Sequence, residues 1–174
     1  ESAVPIIYVS HNIDEICRLS DHLLIIDNGR LVAEGELHQV LSRTDLPQLG
    51  GRNAGAIIEG QSVEYDSEFD LTAFRFSGGQ LWVPGTFEST SVRLRVSAND
   101  ISLSRTRAES STILNILPCR IVAIHAESTA ADLLRLQLGS DYLVARITRR
   151  SSSALNLKTG DELYAQIKSV TVRR

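Results

Sequence analysis

The sequence predicts an α/β segment followed by an all-β domain. Residues 1–50 combine continuous apolar runs with helix signals. From residue 63 to residue 174, apolar and polar residues alternate in many short segments, and this period of two is typical of half-buried strands. Residues 51–62 contain several glycines and no firm period, so we interpret them as a linker between the two parts.

Composition narrows the class of protein. The chain has 174 residues, a formal charge of −3 and 43% hydrophobic residues, which permits one ordinary domain or two small ones. The mild acidity argues against a nucleic-acid-binding surface, which is normally basic. Methionine is absent, so we expect a piece of a longer protein. Cys17 and Cys119 lack the spacing of a zinc site and are predicted to be small buried hydrophobic residues.

The first elements are a strand and a helix. Residues 4–9, VPIIYV, form a continuous apolar run that is typical of a strand buried on both faces. Either Ser10 or Asn12 can cap the helix that follows, and Asp14 and Glu15 supply negative charge to its first turn.

A hairpin and a second helix are predicted next. The run HLLIID ends at Asn28–Gly29, a strong signal for a tight turn between antiparallel strands. RLVAEG then returns as the partner strand, and ELHQVLSR has the pattern of a short helix.

The second part consists of short alternating strands. In VRLRV, the apolar side chains of Val92, Leu94 and Val96 face one side, whereas Arg93 and Arg95 face the other. Many such strands with turns between them indicate a small barrel or sandwich.

The stretch Phe76–Gln80, FSGGQ, resembles the signature motif of ABC-transporter ATPases, usually Leu-Ser-Gly-Gly-Gln. That motif must begin a helix, so that its backbone N–H groups meet a phosphate. Here LWVPG follows, and its β-prone residues with Pro84 and Gly85 would end a helix within one turn. The stretch is therefore predicted to be a hairpin turn that imitates the signature.

The first 45 residues resemble the region after the Walker B motif of ABC ATPases. His11 matches the family's switch histidine, the spacing SH-x-x-x-E runs through Glu15, and NGRLVAEG also matches. In that family the signature lies upstream of this region, and the chain has no Walker A, Walker B or true signature sequence. The resemblance implies that His11 acts on the γ-phosphate of ATP, with Mg²⁺, only in an intact parent protein. This chain alone is expected to bind and hydrolyse no appreciable ATP.

Residues 110–174 resemble a Mop or TOBE-type domain, on the basis of LNILP leading into a strand and ARITRRSSSALNLKTGDELYAQIKS. The whole chain is then similar to the C-terminal part of the ATP-binding subunit of a molybdate ABC importer. The implied fold is an α/β fragment, the end of a P-loop ABC ATPase domain, followed by an all-β OB-like barrel domain.

The resemblance also implies an oxyanion site. A tetrahedral anion such as molybdate or tungstate needs converging N–H and O–H donors. Where the family often carries an arginine before the first asparagine, this chain has Leu114, so one charged donor is missing. The matching positions form three clusters: Ser111, Thr112 and Asn115; Thr148, Ser151 and Ser152; and Lys168 with Ser169.

The same resemblance implies a homodimer through the β-domain, membrane permease subunits as partners, and a location at the cytoplasmic face of the bacterial inner membrane. The β-domain would regulate transport by sensing oxyanion.

Two alternatives stay open. One is the equivalent part of another ABC importer ATPase, for sulfate, sugar, iron or polyamine, with a purely structural TOBE domain. The other is an OB-fold nucleic-acid binder, which the 5% aromatic content and the negative charge disfavour.

Overall fold

The computed structural model describes residues 4–173. The first part contains helix α1 (Ile13–Leu19), strands β1 (His22–Asp27) and β2 (Arg30–Glu36), and helix α2 (Leu37–Leu41). Two 3-10 turns, Pro47–Leu49 and Gly51–Asn53, lead from α2 into the β-rich remainder of the chain.

The first helix forms as its sequence predicts. Asn12 is the N-cap, and its side-chain oxygen accepts a hydrogen bond from the N–H of Asp14 at 2.9 Å, which satisfies one of the free donors at the helix start. The buried residues Ile16 and Cys17 attach α1 to the small core of this part.

The predicted hairpin is also present. β1 and β2 pair in antiparallel register from His22–Glu36 to Asp27–Arg30. Asn28 and Gly29 both have positive φ angles, 48° and 75°, as expected for a tight two-residue turn. Helix α2 follows β2 directly, in agreement with the pattern of ELHQVLSR.

The predicted strand at residues 4–9 is wrong. These residues are in no helix or strand, and Ile6, Ile7 and Val9 are 80%, 93% and 91% exposed. A strand buried on both faces requires neighbouring strands, and no strand of the described chain pairs with this segment. Apolar content alone therefore did not make it a strand.

Up to residue 173, the last one described, the β-rich part consists of ten strands and one short α-helix. They are β3 (Gly55–Asp66), β4 (Leu71–Phe76), β5 (Gly79–Pro84), β6 (Ser91–Ser97), β7 (Ile101–Ser104), β8 (Asn115–Ala126), β9 (Ala131–Leu138), β10 (Asp141–Thr148), helix α3 (Arg149–Ala154), β11 (Glu162–Ile167) and β12 (Thr171–Arg173). A 3-10 turn, Ala98–Asp100, connects β6 to β7.

These strands form two five-stranded antiparallel sheets. The first has the order β12-β6-β3-β4-β5, and the second has the order β10-β9-β8-β11-β7. In the second sheet, β10 also packs against β7, so its two outer strands approach each other as in a small barrel.

The β-rich part contains two structural repeats, and each repeat places its last strand in the sheet of the other. β3–β7 and β8–β12 have the same plan: a 12-residue strand, a hairpin, a fourth strand and a short fifth strand. Each long strand has a register shift, at Ser62/Glu64 in β3 and at Ile121/Ala123 in β8. β7 pairs with β11 of the other repeat, and β12 pairs with β6. The strand pattern of the sequence indicated a small barrel or sandwich and gave no sign of this exchange.

The structure also differs from the predicted linker at residues 51–62. β3 begins at Gly55 and lies in the centre of the first sheet. A Cβ atom on Gly55 would lie 2.6 Å from the Val96 carbonyl oxygen, and one on Gly60 would lie 2.7 Å from the Leu94 side chain. These glycines permit close packing of strands, whereas the sequence pattern predicted a linker.

Apolar residues from both repeats share one core, whose fully buried members include Phe74, Leu94, Ile121 and Leu136. Cys17 and Cys119 are both buried, as predicted. Burial raises the pKa of the Cys119 thiol to about 12, so this sulfur stays protonated near neutral pH.

The stretch Phe76–Gln80, which resembles the signature motif, forms a hairpin turn, as predicted. Phe76 pairs with Gly79 at the end of the β4–β5 ladder, which leaves Ser77 and Gly78 as the turn. This turn interlocks with the equivalent β9–β10 turn, since a Cβ on Gly139 would lie 2.4 Å from the Ser77 carbonyl oxygen. No helix within residues 4–173 is long and apolar enough to cross a membrane.

Candidate functional site

The first and third predicted clusters adjoin each other. Asn115 begins β8 and pairs with Ile167, the last residue of β11. Ser111 and Thr112 precede Asn115, and Lys168 follows Ile167. The antiparallel ladder therefore brings the two clusters to the same end of the β8–β11 pair.

The structure assigns a structural contact to Asn115. Its side chain is buried, its amide oxygen accepts a hydrogen bond from the Trp82 N–H at 2.7 Å, and its amide nitrogen donates to the Trp82 carbonyl at 3.0 Å. Both ends of the amide are therefore used to join β8 to β5, and one of the two N–H groups of the side chain is taken up by this contact.

The remaining residues of the first cluster are exposed. The Ser111 hydroxyl oxygen accepts a hydrogen bond from the Ile113 N–H at 3.0 Å, which leaves its O–H to donate elsewhere. Thr112 is also exposed. Leu114 is 57% exposed, so the position that lacks the family's arginine faces the solvent.

Lys168 and Ser169 form the third cluster and are both exposed. The Lys168 N–H donates to the Asp100 carbonyl at 2.8 Å, which fixes the backbone while the ammonium group stays accessible. Together with the hydroxyls of Ser111 and Thr112, this end of the sheet presents hydroxyl donors and one positive charge, the groups that bind an oxyanion.

The second cluster caps α3. The Thr148 side-chain oxygen accepts a hydrogen bond from the Ser151 N–H at 3.1 Å, and its hydroxyl lies 2.8 Å from that of Ser151. Ser152 is buried. These residues therefore stabilise the start of a short helix, and among the described residues no hydrogen bond joins them to the other two clusters.

The 3-10 turn of the first repeat lies between the second and third clusters. Its Asp100 carbonyl accepts from Lys168, and the Asn99 side-chain oxygen accepts from Arg146 at 3.0 Å. Arg146 precedes Thr148 by two residues in β10. The first repeat thus contributes residues that the sequence analysis missed, because only the strand exchange places them here.

Arg146 also belongs to a network that reaches the first part of the chain. It forms a bidentate pair with Glu127, at 2.7 and 2.5 Å, and contacts the Gly51 carbonyl. The Gly51 N–H donates to Glu127 at 2.7 Å. Burial alone would raise the pKa of Glu127, but the hydrogen bonds from Arg146 and Gly51 outweigh it and hold this pKa below its ordinary value.

His11 is exposed and lies between Ser10 and Asn12, whose side chains both form hydrogen bonds. The Glu15 carboxylate accepts hydrogen bonds from Ser10 and Tyr8, both at 2.8 Å. The bond from Ser10 contributes most to lowering the pKa of Glu15, and the bond to Glu15 raises the pKa of Tyr8. Asn12 caps α1, so the backbone on both sides of His11 is held while its ring is accessible.

Arg93 and Arg95 do not lie on an open polar face. The Arg95 side chain is 11% exposed, and its Nε atom lies 3.5 Å from the Asp14 carboxylate of α1. Arg93 donates to the Ser20 carbonyl at 2.8 Å and forms an ion pair with Asp21. Alternation along β6 indicated which side these arginines face, but no local signal showed that α1 covers that side.

Comparison with known proteins identifies the second repeat. The TOBE domain model matches residues 111–173, which include β8 to β12 and all three predicted oxyanion clusters.

Sequence relatives extend over nearly the whole chain. The molybdenum import ATP-binding protein ModC of Methylococcus capsulatus is 41% identical over 99% of this chain, which corresponds to 49% of that protein. ModC 1 of Azotobacter vinelandii is 39% identical over 99% of this chain and 48% of its own length. The chain therefore spans about half the length of these curated relatives.

A solved structure has a similar fold. The cytoplasmic molybdate-binding protein ModG, in a form with molybdate bound, superposes with a TM-score of 0.56 at 18% identity, over 67% of this chain and 94% of ModG. At this identity the likeness concerns the fold, and it supports an OB-like β-domain. Residues 111–173 thus match a TOBE domain, and nearly the whole chain is similar to about half of each of the ModC molybdenum import ATP-binding proteins compared.

Proposed function

We propose that this chain forms the C-terminal part of the ATP-hydrolysing subunit of a bacterial molybdate importer, and that its β-domain senses oxyanion and regulates transport. The observation that carries the proposal is the 41% identity over 99% of the chain to a protein named for molybdenum import. The exposed donors at the β8–β11 end and the likeness to ModG support the oxyanion part of the proposal.

ATP hydrolysis would take place only in the longer protein. ATP and Mg²⁺ would be held by residues outside this sequence, since the chain has no phosphate-binding loop with its lysine. His11, exposed beside the capped start of α1, is the residue we propose for contact with the γ-phosphate and orientation of the attacking water.

The oxyanion would bind near Ser111, Thr112, Lys168 and Ser169. Lys168 supplies the charge, and the hydroxyls donate to the anion's oxygens. Asn115 supports this site by holding β8 on β5, through its two hydrogen bonds to Trp82. This role replaces the direct contact that the family resemblance implied.

The second cluster is proposed to act through a second copy of the chain. Thr148, Ser151 and Ser152 are separated from Lys168 by the turn Ala98–Asp100, so one copy does not gather all three clusters by direct hydrogen bonding. A homodimer through the β-domain would let one copy's second cluster complete the other copy's first and third clusters.

The remaining partners follow from the importer role. The parent subunit would bind membrane permease subunits and lie at the cytoplasmic face of the inner membrane.

Calorimetric titration of the chain with molybdate and with sulfate tests the oxyanion part. Lys158 and Lys168 are the two lysines of the sequence, so Lys158→Ala is a matched control for Lys168→Ala. We expect molybdate binding that Lys168→Ala weakens by about tenfold, the cost of one charge-assisted contact, with little change in Lys158→Ala. Absence of heat with molybdate at millimolar concentration would refute oxyanion sensing. Preference for sulfate would favour an importer of another anion.

A further inference from the structure

Helix α1, which follows His11, is held by two arginines of the β-domain. Arg95 lies 3.5 Å from Asp14 in the first turn of α1, and its Nη1 atom lies 3.4 Å from the Cys17 sulfur. Arg93 donates to the Ser20 carbonyl, just beyond the last turn of α1, at 2.8 Å. It also donates to the Cys17 carbonyl, within that turn, at 3.4 Å. Both ends of the helix are therefore bound to one strand, β6.

The β6 surface that holds α1 is continuous with the small core of the first part. In the β3–β6 ladder, Arg95 pairs with Ile57, and Ile57 is 2% exposed within the cluster that contains Ile16 and Cys17. Because Arg95 on β6 and Ile57 on β3 both pack in this region, α1 has little freedom to move independently of β6. We name this contact, formed by Arg93 and Arg95 on β6 with α1, the arginine clamp.

The other edge of β6 leads to the candidate oxyanion site. β12 pairs with β6, and Thr171 lies opposite Arg95 in that ladder. Ser169 is only two residues before Thr171. The Lys168 N–H donates to the Asp100 carbonyl at the start of the connection from β11 to β12. A single backbone ladder therefore connects Lys168 and Ser169 to the arginine clamp.

The clamp is sensitive to small displacements. Hydrogen bonds weaken steeply once the donor–acceptor distance or angle leaves its preferred range, and a largely buried guanidinium loses much when its partners are removed. Loss of these contacts at both ends would release α1 from β6, and two such arrangements are what coupling between sites requires.

We propose that Arg93 and Arg95 are positioning residues through which oxyanion bound at Lys168–Ser169 fixes α1, and thereby the segment that carries His11. This inference rests on the proposed function. Anion binding would hold β12 on β6, tighten the clamp and restrict the movement of the His11 segment. Oxyanion binding in the β-domain would in this way lower ATP hydrolysis in the longer protein.

Hydrogen exchange of the whole 174-residue chain, with and without molybdate, tests the coupling. In the wild type, molybdate should slow exchange of the α1 amides by about fivefold or more, the lower limit of typical coupling between sites. In Arg93→Gln/Arg95→Gln, the effect of molybdate on α1 should fall below about twofold, while the molybdate Kd changes little. Arg75→Gln, an exposed arginine on β4, is the control that should retain the wild-type response.

Two further variants guard against a loss of folding. Asp14→Asn removes the partner of Arg95 from the α1 side and leaves the β-domain unchanged. Arg95→Lys should keep part of the response because it retains a positive charge opposite Asp14. A wild type that binds molybdate without a change at α1 would overturn the coupling alone. A double variant that keeps the full response would do the same. A wild type that binds no molybdate would overturn the proposed function, and the coupling with it.

Discussion

The Ser77 hydroxyl lies 2.5 Å from the Asp141 carboxylate and accepts hydrogen bonds from the N–H groups of Ser140 and Asp141 at 2.9 and 3.1 Å. Ser77 belongs to the β4–β5 turn, and Asp141 begins β10 after the β9–β10 turn. This contact joins the hairpins of the two repeats, so the stretch FSGGQ has a structural role in the β-domain.

Substitution of Ser77 should therefore affect folding more than catalysis. Ser77→Ala removes the acceptor for two backbone N–H groups and the donor to Asp141, and we expect a loss of about 1–3 kcal/mol in the free energy of unfolding. Urea denaturation of this chain measures that loss. In the longer protein, ATP hydrolysis should stay within about twofold of wild type, whereas His11→Ala should lower it by about a hundredfold or more. A severe loss of hydrolysis in a folded Ser77→Ala protein would contradict the structural role.

The close approach of the two turns makes Gly139 a second sensitive position. It has a φ angle of 63°, and a Cβ atom there would lie 2.4 Å from the Ser77 carbonyl oxygen. Gly139→Ala should cost about 3 kcal/mol or more, because a steric clash adds to the cost of the left-handed conformation. Gly29→Ala is the control, since its φ is 75° and nothing lies within 4 Å of the added Cβ. It should cost only about 1–2 kcal/mol. Equal losses in the two variants would show that the turns do not touch.

Asn115 should behave as a structural residue. Asn115→Ala leaves the Trp82 N–H and carbonyl without their partner in a partly buried location, and we expect destabilisation of about 2–4 kcal/mol. Leu114→Ala, at an adjacent exposed site, should change stability by less than about 0.5 kcal/mol. Thermal unfolding of both variants gives the comparison. An Asn115→Ala protein of unchanged stability that binds molybdate poorly would instead indicate direct contact with the anion.

The Glu127 network should make stability depend on pH. Its carboxyl has a lowered pKa in the folded chain, below the ordinary value of 4.5, because the bonds from Arg146 and Gly51 favour the charged form. This contribution is fully present above the pKa of the unfolded chain and is lost as the pH falls through the lower, folded-state value. Glu127→Gln should reduce stability near neutral pH by about 1–2 kcal/mol and flatten its decline below about pH 4.5. Denaturation of both proteins across this pH range measures the difference. Parallel curves of stability against pH would contradict the assignment of the lowered pKa to Glu127.

The local elements were predictable from the sequence because their signals are local. Asn12 with Asp14 specified the start of α1, Asn28–Gly29 specified the β1–β2 turn, and the β-prone residues after Gly79 excluded a helix there. The alternation in β6 also correctly placed Val92, Leu94 and Val96 in the core.

The features that the sequence did not reveal depend on contacts between distant segments. Nothing in residues 101–104 indicates that they pair with β11 of the other repeat, and nothing near Arg95 indicates that α1 lies over it. Residues 4–9 have the composition of a buried strand but no strand beside them among the described residues. Their composition was therefore insufficient to predict a strand.

The candidate oxyanion site was predictable in part. The sequence placed Lys168 and Ser111 in the same expected site, and the β8–β11 ladder brings their clusters together. Asn115 was expected to bind anion, yet both ends of its amide bond to Trp82. A hydrogen-bonding side chain looks the same in sequence whether its partner is a ligand or the backbone of another strand.

Calorimetric titration with molybdate is the decisive test of oxyanion binding through Lys168 and its neighbours. We expect saturable binding that Lys168→Ala weakens by about tenfold, that Lys158→Ala leaves nearly unchanged, and that sulfate reproduces only weakly. Absence of binding at millimolar molybdate, or equal affinity in the Lys168→Ala and wild-type proteins, would contradict it.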